Sequence, residues 1–174
     1  LEQVEDKLAT KGYDKEFYII QSNGGLAPAD VTKRRSAHTV LSGPAAGATA
    51  AAYIAEQTGR KSVISCDMGG TSFDISILPE GDLLMTQETE LDYQLPIRFP
   101  MADIKTIGAG GGSIAWIDEG GILHTGPRSA GANPGPICYG NGGTDATITD
   151  ANLILGRINP EKSLVEDIDL DVKH

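Results

Sequence analysis

The residues best suited to chemistry in this chain form a glycine-rich octapeptide with an acidic residue at each end, Asp-Met-Gly-Gly-Thr-Ser-Phe-Asp at residues 67–74. It lies between two apolar runs, residues 62–66 and 75–78, that have the pattern of β-strands. Two adjacent glycines allow backbone N–H groups to approach an anion in a conformation that a Cβ would hinder, and a hydroxyl follows as a further donor. The octapeptide therefore predicts a phosphate-binding hairpin. The alternative is a tight hairpin whose aspartates only close Asx turns.

The two flanking carboxylates, Asp67 and Asp74, indicate a cation. Acidic groups repel a phosphate unless a divalent cation lies between them. Asp67 and Asp74 are therefore expected to be direct or outer ligands of Mg²⁺ on a nucleotide.

Helices and strands are needed to position this hairpin. Apolar residues at helical spacing predict a helix over residues 1–11, and an alanine-rich run predicts another over residues 45–57, with Ser42 as its N-cap and Gly59 as its end. The amino end of that second helix could bind an anion through its free N–H groups. The alternative is an ordinary capped helix without a ligand. Strands are predicted at 17–20, 62–66, 73–78, 83–85, 93–97, 103–107 and 114–117, and those from 62–66 to 93–97 are expected to form a meander.

A second glycine-rich segment, residues 108–113, connects two of these predicted strands. Because it does not precede a helix, it is not the dinucleotide fingerprint, and a Rossmann fold is disfavoured. A hairpin at residues 120–121 follows, and then a long ordered loop over residues 125–150, a type of segment that is often functional. Thr149 or Asp150 is expected to cap a short helix over residues 151–155.

Composition narrows the class of protein. The chain has 174 residues, 40% of them hydrophobic, which predicts one domain over residues 1–160 and an acidic tail over 161–174. The net charge of −10 argues against a nucleic acid or an anionic membrane as partner. An acidic start and the lack of any apolar run of about 20 residues predict a cytoplasmic chain. Cys66 and Cys138 form no CxxC pair and are expected to be buried, reduced thiols.

Five ordered motifs resemble those of the hydantoinase A/5-oxoprolinase family. They are residues 41–45, 67–72, 107–115, 126–140 and 149–152. The resemblance implies an α/β fold of the ribonuclease-H-like type found in actin-like ATPases, with a mixed sheet, β-hairpins and flanking helices, in which two phosphate hairpins clamp ATP. It also implies a small cyclic amide as substrate, such as hydantoin or 5-oxoproline, which is phosphorylated on the amide oxygen before hydrolysis.

The chain departs from the family in one respect. Family members carry a first phosphate hairpin near their N-terminus, and this chain contains a single Asp-x-Gly-Gly-Thr sequence, at residues 67–71, in the position of the second. We therefore expect a piece of a larger protein that lacks the N-terminal subdomain and works with a hydantoinase-B-like subunit. A subunit of an ATP-dependent ketone carboxylase and a nucleotide-binding regulatory module are the alternatives.

The resemblance also implies roles for particular residues. Asp67 would hold Mg²⁺ or another divalent cation, whereas Asp74 would either orient a nucleophile or stabilise the turn; these two are the candidate catalytic residues. The second glycine segment would supply a flat surface for the adenosine or ribose of the nucleotide. The alternative is that it is an ordinary hairpin turn. The candidate ATP-binding residues are Gly69, Gly70, Thr71, Ser72, Gly108, Gly110, Gly111, Gly112, Ser113 and Arg128.

Three of the candidates rest on residue type more than on the motifs. Asp103 and His124 are candidate metal ligands beside Asp67, and the alternative for His124 is a hydrogen-bonded strand histidine. The Arg128 guanidinium matches two oxygens at once and would bind a phosphate or carboxylate; the alternative is a solvated loop arginine.

Overall fold

The chain folds as two compact units in this computed structural model, which describes residues 1–91, 95–161 and 170. The first unit comprises Leu1–Ser65 and Ile75–Lys105, and the second comprises Cys66–Asp74 and Thr106–His174. Each unit is described by itself. The single domain expected over residues 1–160 stays a prediction, and the expected tail lies almost entirely outside the described residues.

The described helices and strands alternate along the chain. The helices are α1 Glu2–Thr10, α2 Ala29–Arg34, α3 Ser42–Thr58 and α4 Ile148–Ile154, with 3-10 turns at Ser36–Thr39 and Ile137–Tyr139. The strands are β1 Tyr18–Ile20, β2 Leu26–Pro28, β3 Ser62–Met68, β4 Phe73–Pro79, β5 Met85–Thr86, β6 Thr89–Leu91, β7 Leu95–Ile97, β8 Met101–Ala102, β9 Lys105–Ile107, β10 Ser113–Ile117 and β11 Leu123–Ser129.

The strands form several small sheets, and the pairings β1–β2, β5–β8, β6–β7 and β10–β11 are antiparallel. The order β3-β4-β9 makes the one three-stranded sheet among the described residues. The predicted meander is wrong. After β4 the chain forms the β6–β7 hairpin inside the β5–β8 pair and only then adds β9 beside β4, so sequence neighbours are not always sheet neighbours.

Helix α3 is rich in alanine and buries three of its alanines. Ala45, Ala48 and Ala55 are buried along one side of it, spaced three and seven residues apart as one helical face requires. Gly59 ends the helix in the left-handed conformation with φ of 64°, as predicted. The predicted N-cap is wrong, because Ser42 is already helical and Leu41, with φ of 58°, precedes it.

The β10–β11 hairpin and α4 organise the second unit. Trp116 on β10 lies opposite His124 on β11, and β11 continues to Ser129. The loop predicted from residue 125 therefore begins five residues later. The cap of α4 is Thr147, not Thr149 or Asp150: its hydroxyl accepts from the Asp150 N–H while the Asp150 carboxylate accepts from the Thr147 N–H, a capping box.

The two cysteines differ in exposure. Cys138 is buried as expected, but Cys66 is exposed, because it occupies an outward position in the alternating pattern of β3. Both are free thiols. Over the described residues, no helix combines the length and apolar character needed to cross a bilayer.

Candidate functional site

The predicted phosphate hairpin is present as a turn at residues 69–72 between β3 and β4. The Gly69 N–H donates to the Ser72 carbonyl at 2.9 Å and closes the turn. Neither Gly69 nor Gly70 has a positive φ, and a Cβ added to Gly70 would meet nothing within 4 Å. The expectation that this turn needs a conformation hindered by a Cβ is therefore wrong.

The second glycine segment lies directly against this turn. Three consecutive N–H groups of the segment donate to three consecutive carbonyls of the turn. The bonds are Gly110 N to Thr71 O at 3.2 Å, Gly111 N to Gly69 O at 2.9 Å and Gly112 N to Gly70 O at 2.6 Å. The two segments, about 40 residues apart in sequence, are thus joined backbone to backbone.

These bonds orient the opposite side of the turn. In a planar trans peptide the carbonyl and the N–H point in opposite directions, so three carbonyls held by the glycine segment leave the next three N–H groups directed away from it. Those groups belong to Gly70, Thr71 and Ser72. Within this unit none of them donates to an acceptor among the described residues, and Gly70 and Thr71 are exposed. Successive free N–H groups of this kind are suited to an anion, and we call these three the amide nest.

The contact between the two segments leaves no space for side chains. A Cβ on Gly110 would lie 2.5 Å from the Thr71 nitrogen and 2.6 Å from both the Gly70 carbonyl carbon and the Ser72 nitrogen. A Cβ on Gly112 would lie 2.9 Å from the Gly70 oxygen, whereas one on Gly108 would meet nothing within 4 Å. The predicted role of these glycines as a nucleotide surface stays a prediction. The structure shows in addition that Gly110 and Gly112 permit a close backbone contact.

Helix α4 supports the glycine segment from behind. Both the N–H and the hydroxyl of Thr149 donate to the Gly111 carbonyl, at 2.8 and 2.9 Å. The Ala130 N–H donates to the Gly112 carbonyl at 2.8 Å. In the sequence Thr149 belongs to the motif at residues 149–152 and is a possible helix cap, and neither feature indicates this contact.

Asp150 anchors the start of α4. Its buried carboxylate accepts from the Cys138 N–H at 2.8 Å and from the N–H and hydroxyl of Thr147 at 2.8 and 2.7 Å. Burial by itself raises the pKa of the Asp150 carboxyl, but these hydrogen bonds outweigh it and lower that pKa from its ordinary value. Burial, together with a hydrogen bond to Asp150, raises the pKa of the Cys138 thiol to about 12, so this thiol is protonated at neutral pH.

The two candidate catalytic aspartates have different surroundings. Asp67 is exposed near the end of β3. Asp74 accepts from the Ser72 hydroxyl at 3.3 Å and from the Thr106 hydroxyl at 2.6 Å. Both oxygens of Asp74 are thereby used, which supports the alternative that it stabilises the turn, while its catalytic role stays a prediction.

The metal-binding role of Asp67, Asp103 and His124 stays a prediction. Over the described residues there is no group of three or more His, Cys, Asp or Glu side chains that could hold a metal ion. Asp103, in the first unit, pairs with Lys105 at 3.0 Å. His124 contacts Asp118 at 2.6 Å and stacks on Trp116 with ring centroids 4.7 Å apart, as the hydrogen-bonded strand histidine of the alternative would.

Asp118 is the acceptor that organises the tip of the β10–β11 hairpin. The Ile122 and Gly120 N–H groups donate to one of its oxygens, both at 2.9 Å, and His124 contacts the other. The Ile122 N–H is the largest cause, before His124, of the lowering of the Asp118 pKa from its ordinary value. The Asp118–His124 pair therefore has a structural explanation.

The two remaining candidate ATP-binding residues are Ser113 and Arg128. Ser113 is buried, and its hydroxyl has no hydrogen-bond partner among the described residues. Arg128 is exposed on β11 and pairs with no described carboxylate. Their assignment to a nucleotide stays a prediction.

The sequence resembles known proteins along its whole length. A profile of the hydantoinase/oxoprolinase family matches residues 1–174. The caprolactamase subunit alpha of Pseudomonas jessenii is 45% identical over 157 residues, which cover 90% of this chain and 22% of that subunit.

Two solved structures resemble the fold. One is a nucleotide-free acetone carboxylase, described for the mechanism of ATP-dependent acetone carboxylation, with a TM-score of 0.82 and 28% identity. The other is the ATP-dependent caprolactamase of Pseudomonas jessenii, with a TM-score of 0.74 and 40% identity. Each match covers 98% of this chain and 24% of the other, so the chain spans about a quarter of the length of these relatives.

Proposed function

Because this chain belongs to the hydantoinase/oxoprolinase family, we propose that it supplies the phosphate-binding hairpin of an ATP-dependent enzyme that opens a cyclic amide. The observation that carries the proposal is the amide nest. Three consecutive N–H groups, of Gly70, Thr71 and Ser72, are directed away from the glycine segment and lack acceptors among the described residues of their unit. Such donors suit the oxygens of a transferring phosphoryl group.

The reaction explains why phosphate binding is needed. A lactam opens slowly because amide resonance makes its carbonyl carbon a weak electrophile. Transfer of the γ-phosphoryl group of ATP to the amide oxygen gives ADP and an imidate phosphate, whose carbon is activated. A first water adds to that carbon and the C–N bond breaks, which leaves an amine and an acyl phosphate, and a second water then releases phosphate and leaves a carboxylate. The protein contributes positioning and charge compensation. In this account Gly70, Thr71 and Ser72 hold phosphate oxygens through their N–H groups.

A divalent cation fits the acidic residues at the turn. Mg²⁺ is commonly bound by one or two carboxylates together with phosphate oxygens and water, so a cluster of three protein ligands is not required. Asp67 is the carboxylate that would hold it, because its residue is exposed near the end of β3, next to the turn. We assign Asp74 to the turn, where Ser72 and Thr106 occupy its oxygens.

Further parts of the proposal rest on the family resemblance. They are a ribonuclease-H-like, actin-like architecture, an N-terminal subdomain that closes the nucleotide clamp, a hydantoinase-B-like partner subunit and a cytoplasmic location. A single hairpin cannot exclude water from the γ-phosphate, and we therefore expect this chain alone to hydrolyse ATP negligibly.

A ketone carboxylase subunit is the second candidate, because the fold resembles that of acetone carboxylase with a TM-score of 0.82. The amide nest would serve there in the same way. The two candidates differ in the group that accepts the phosphoryl: an amide oxygen in one and a bicarbonate or ketone oxygen in the other.

Phosphate release by the full-length protein with its partner subunit tests the proposal. The substrates are hydantoin, 5-oxoproline, caprolactam, and acetone with bicarbonate. We expect release that depends on one of the cyclic amides, and we expect Asp67→Asn to reduce it at least tenfold, whereas Asp145→Asn, at an exposed carboxylate, leaves it unchanged. Release with acetone and bicarbonate alone would favour the carboxylase, and nucleotide binding without release on any substrate would favour a regulatory module.

A further inference from the structure

Thr149 donates two hydrogen bonds to the same carbonyl oxygen, that of Gly111. Its N–H and its hydroxyl both donate to the Gly111 oxygen, at 2.8 and 2.9 Å. A carbonyl oxygen has two lone pairs, so this acceptor is fully used. The Gly112 carbonyl accepts from the Ala130 N–H, which is a backbone contact that no side-chain substitution removes.

A single peptide unit connects this contact to the turn. The Gly111 carbonyl and the Gly112 N–H belong to the same peptide group, and that N–H donates to the Gly70 oxygen at 2.6 Å. The Gly70 carbonyl in turn shares its peptide group with the Thr71 N–H, which is a member of the amide nest. The hydrogen bonds thus run in one chain from the Thr149 hydroxyl through two planar peptide groups to a free donor.

Two physical effects act along such a chain. Each planar peptide group transmits orientation, because fixing its carbonyl fixes the direction of its N–H. Each hydrogen bond also polarises the next, so a carbonyl that accepts strongly makes the N–H of the same peptide a better donor. Both effects end at the Thr71 N–H.

We propose that Thr149 is a positioning residue for the phosphate-binding turn, which its hydroxyl aligns and polarises through the peptide groups 111–112 and 70–71. The proposal rests on the proposed function, since the ligand of the turn is taken to be a phosphate. Thr149 itself does not touch the ligand. Its effect is on the Thr71 donor.

The test compares Thr149→Val, which removes the hydroxyl and keeps the shape, with Thr149→Ser, which restores the hydroxyl. The control is Thr58→Val, because the Thr58 hydroxyl also donates to a backbone carbonyl, at 2.7 Å, but at the end of α3 in the first unit. Two quantities are measured on the 174-residue chain: the amide proton shifts of Gly112 and Thr71, and the dissociation constant for pyrophosphate with Mg²⁺.

We expect Thr149→Val to move both amide protons upfield and to weaken pyrophosphate binding about twofold to threefold, less than the loss of a whole hydrogen bond to the ligand. Thr149→Ser is expected to restore both readouts, and Thr58→Val to change neither. Unchanged amide shifts in Thr149→Val would overturn the proposal. So would a lower melting temperature of Thr149→Val with unchanged amide shifts and unchanged pyrophosphate affinity. If the wild-type chain binds no pyrophosphate, the proposed function and the phosphate half of the inference are wrong, while the amide shifts still decide whether Thr149 aligns the turn.

Discussion

Gly110→Ala is expected to abolish nucleotide binding and to destabilise the second unit. The new Cβ would lie 2.5–2.6 Å from three backbone atoms of the turn, distances at which one segment must move. Overpacking of this kind costs about 1–3 kcal/mol, and backbone atoms cannot rotate away as a side chain does. Separation of the segments also breaks the bonds that direct the amide nest.

Gly108→Ala is the matched control, because it lies in the same segment and its Cβ would meet nothing within 4 Å. Calorimetric titration with Mg-ATP and a thermal melt give the two readouts. We expect Gly108→Ala to melt like the wild type, and Gly110→Ala to melt earlier and to lose affinity at least tenfold. Equal behaviour of the two variants would show that the contact between the segments does not position the turn.

Asp150→Asn is expected to be the most destabilising single change at the start of α4. An amide offers one oxygen where the carboxylate offers two, so the N–H of either Cys138 or Thr147 would face the amide NH₂ and lose its acceptor. A buried donor left unsatisfied costs about 1–3 kcal/mol, and the damaged cap adds about 1 kcal/mol. For a chain of this size, the loss corresponds to a melting temperature lower by about 5–15 °C.

The control for this variant is Asp145→Asn, which removes an exposed carboxylate from the same region. Because the pKa of Asp150 is lowered in the folded chain, its stabilisation is present above the ordinary value of 3.8 and is lost as the pH falls below it. Melts from pH 7 down to pH 3 should therefore show the difference between wild type and Asp150→Asn shrinking with falling pH. A difference that stays constant would mean that the carboxylate charge is not what stabilises this site.

The parts of the fold that follow from local pattern were predictable. The apolar runs at residues 62–66 and 73–78 correspond to β3 and β4 within two residues, and Gly59 ends α3, because burial on one face and a left-handed cap both leave marks in the local sequence. The turn between β3 and β4 was found for the same reason.

The parts that depend on distant contacts were not predictable. Nothing near residues 108–112 indicates that their N–H groups are directed at the carbonyls of residues 69–71, or that Thr149 holds Gly111. The cap at Thr147 was missed because Asp150 itself looked like a cap, although its side chain reaches back to Thr147 and across to Cys138. The sequence also does not show that the hairpin places His124 beside Asp118, so its role as a metal ligand stays a prediction.

In the proposed mechanism the free N–H groups of the turn bind phosphate. The most direct test is a titration of the ¹⁵N-labelled chain with Mg-ATP, followed through the amide resonances of every residue. We predict that the largest shifts occur at Gly70, Thr71 and Ser72. Largest shifts at the amino end of α3, or no shifts at saturating nucleotide, would contradict the account.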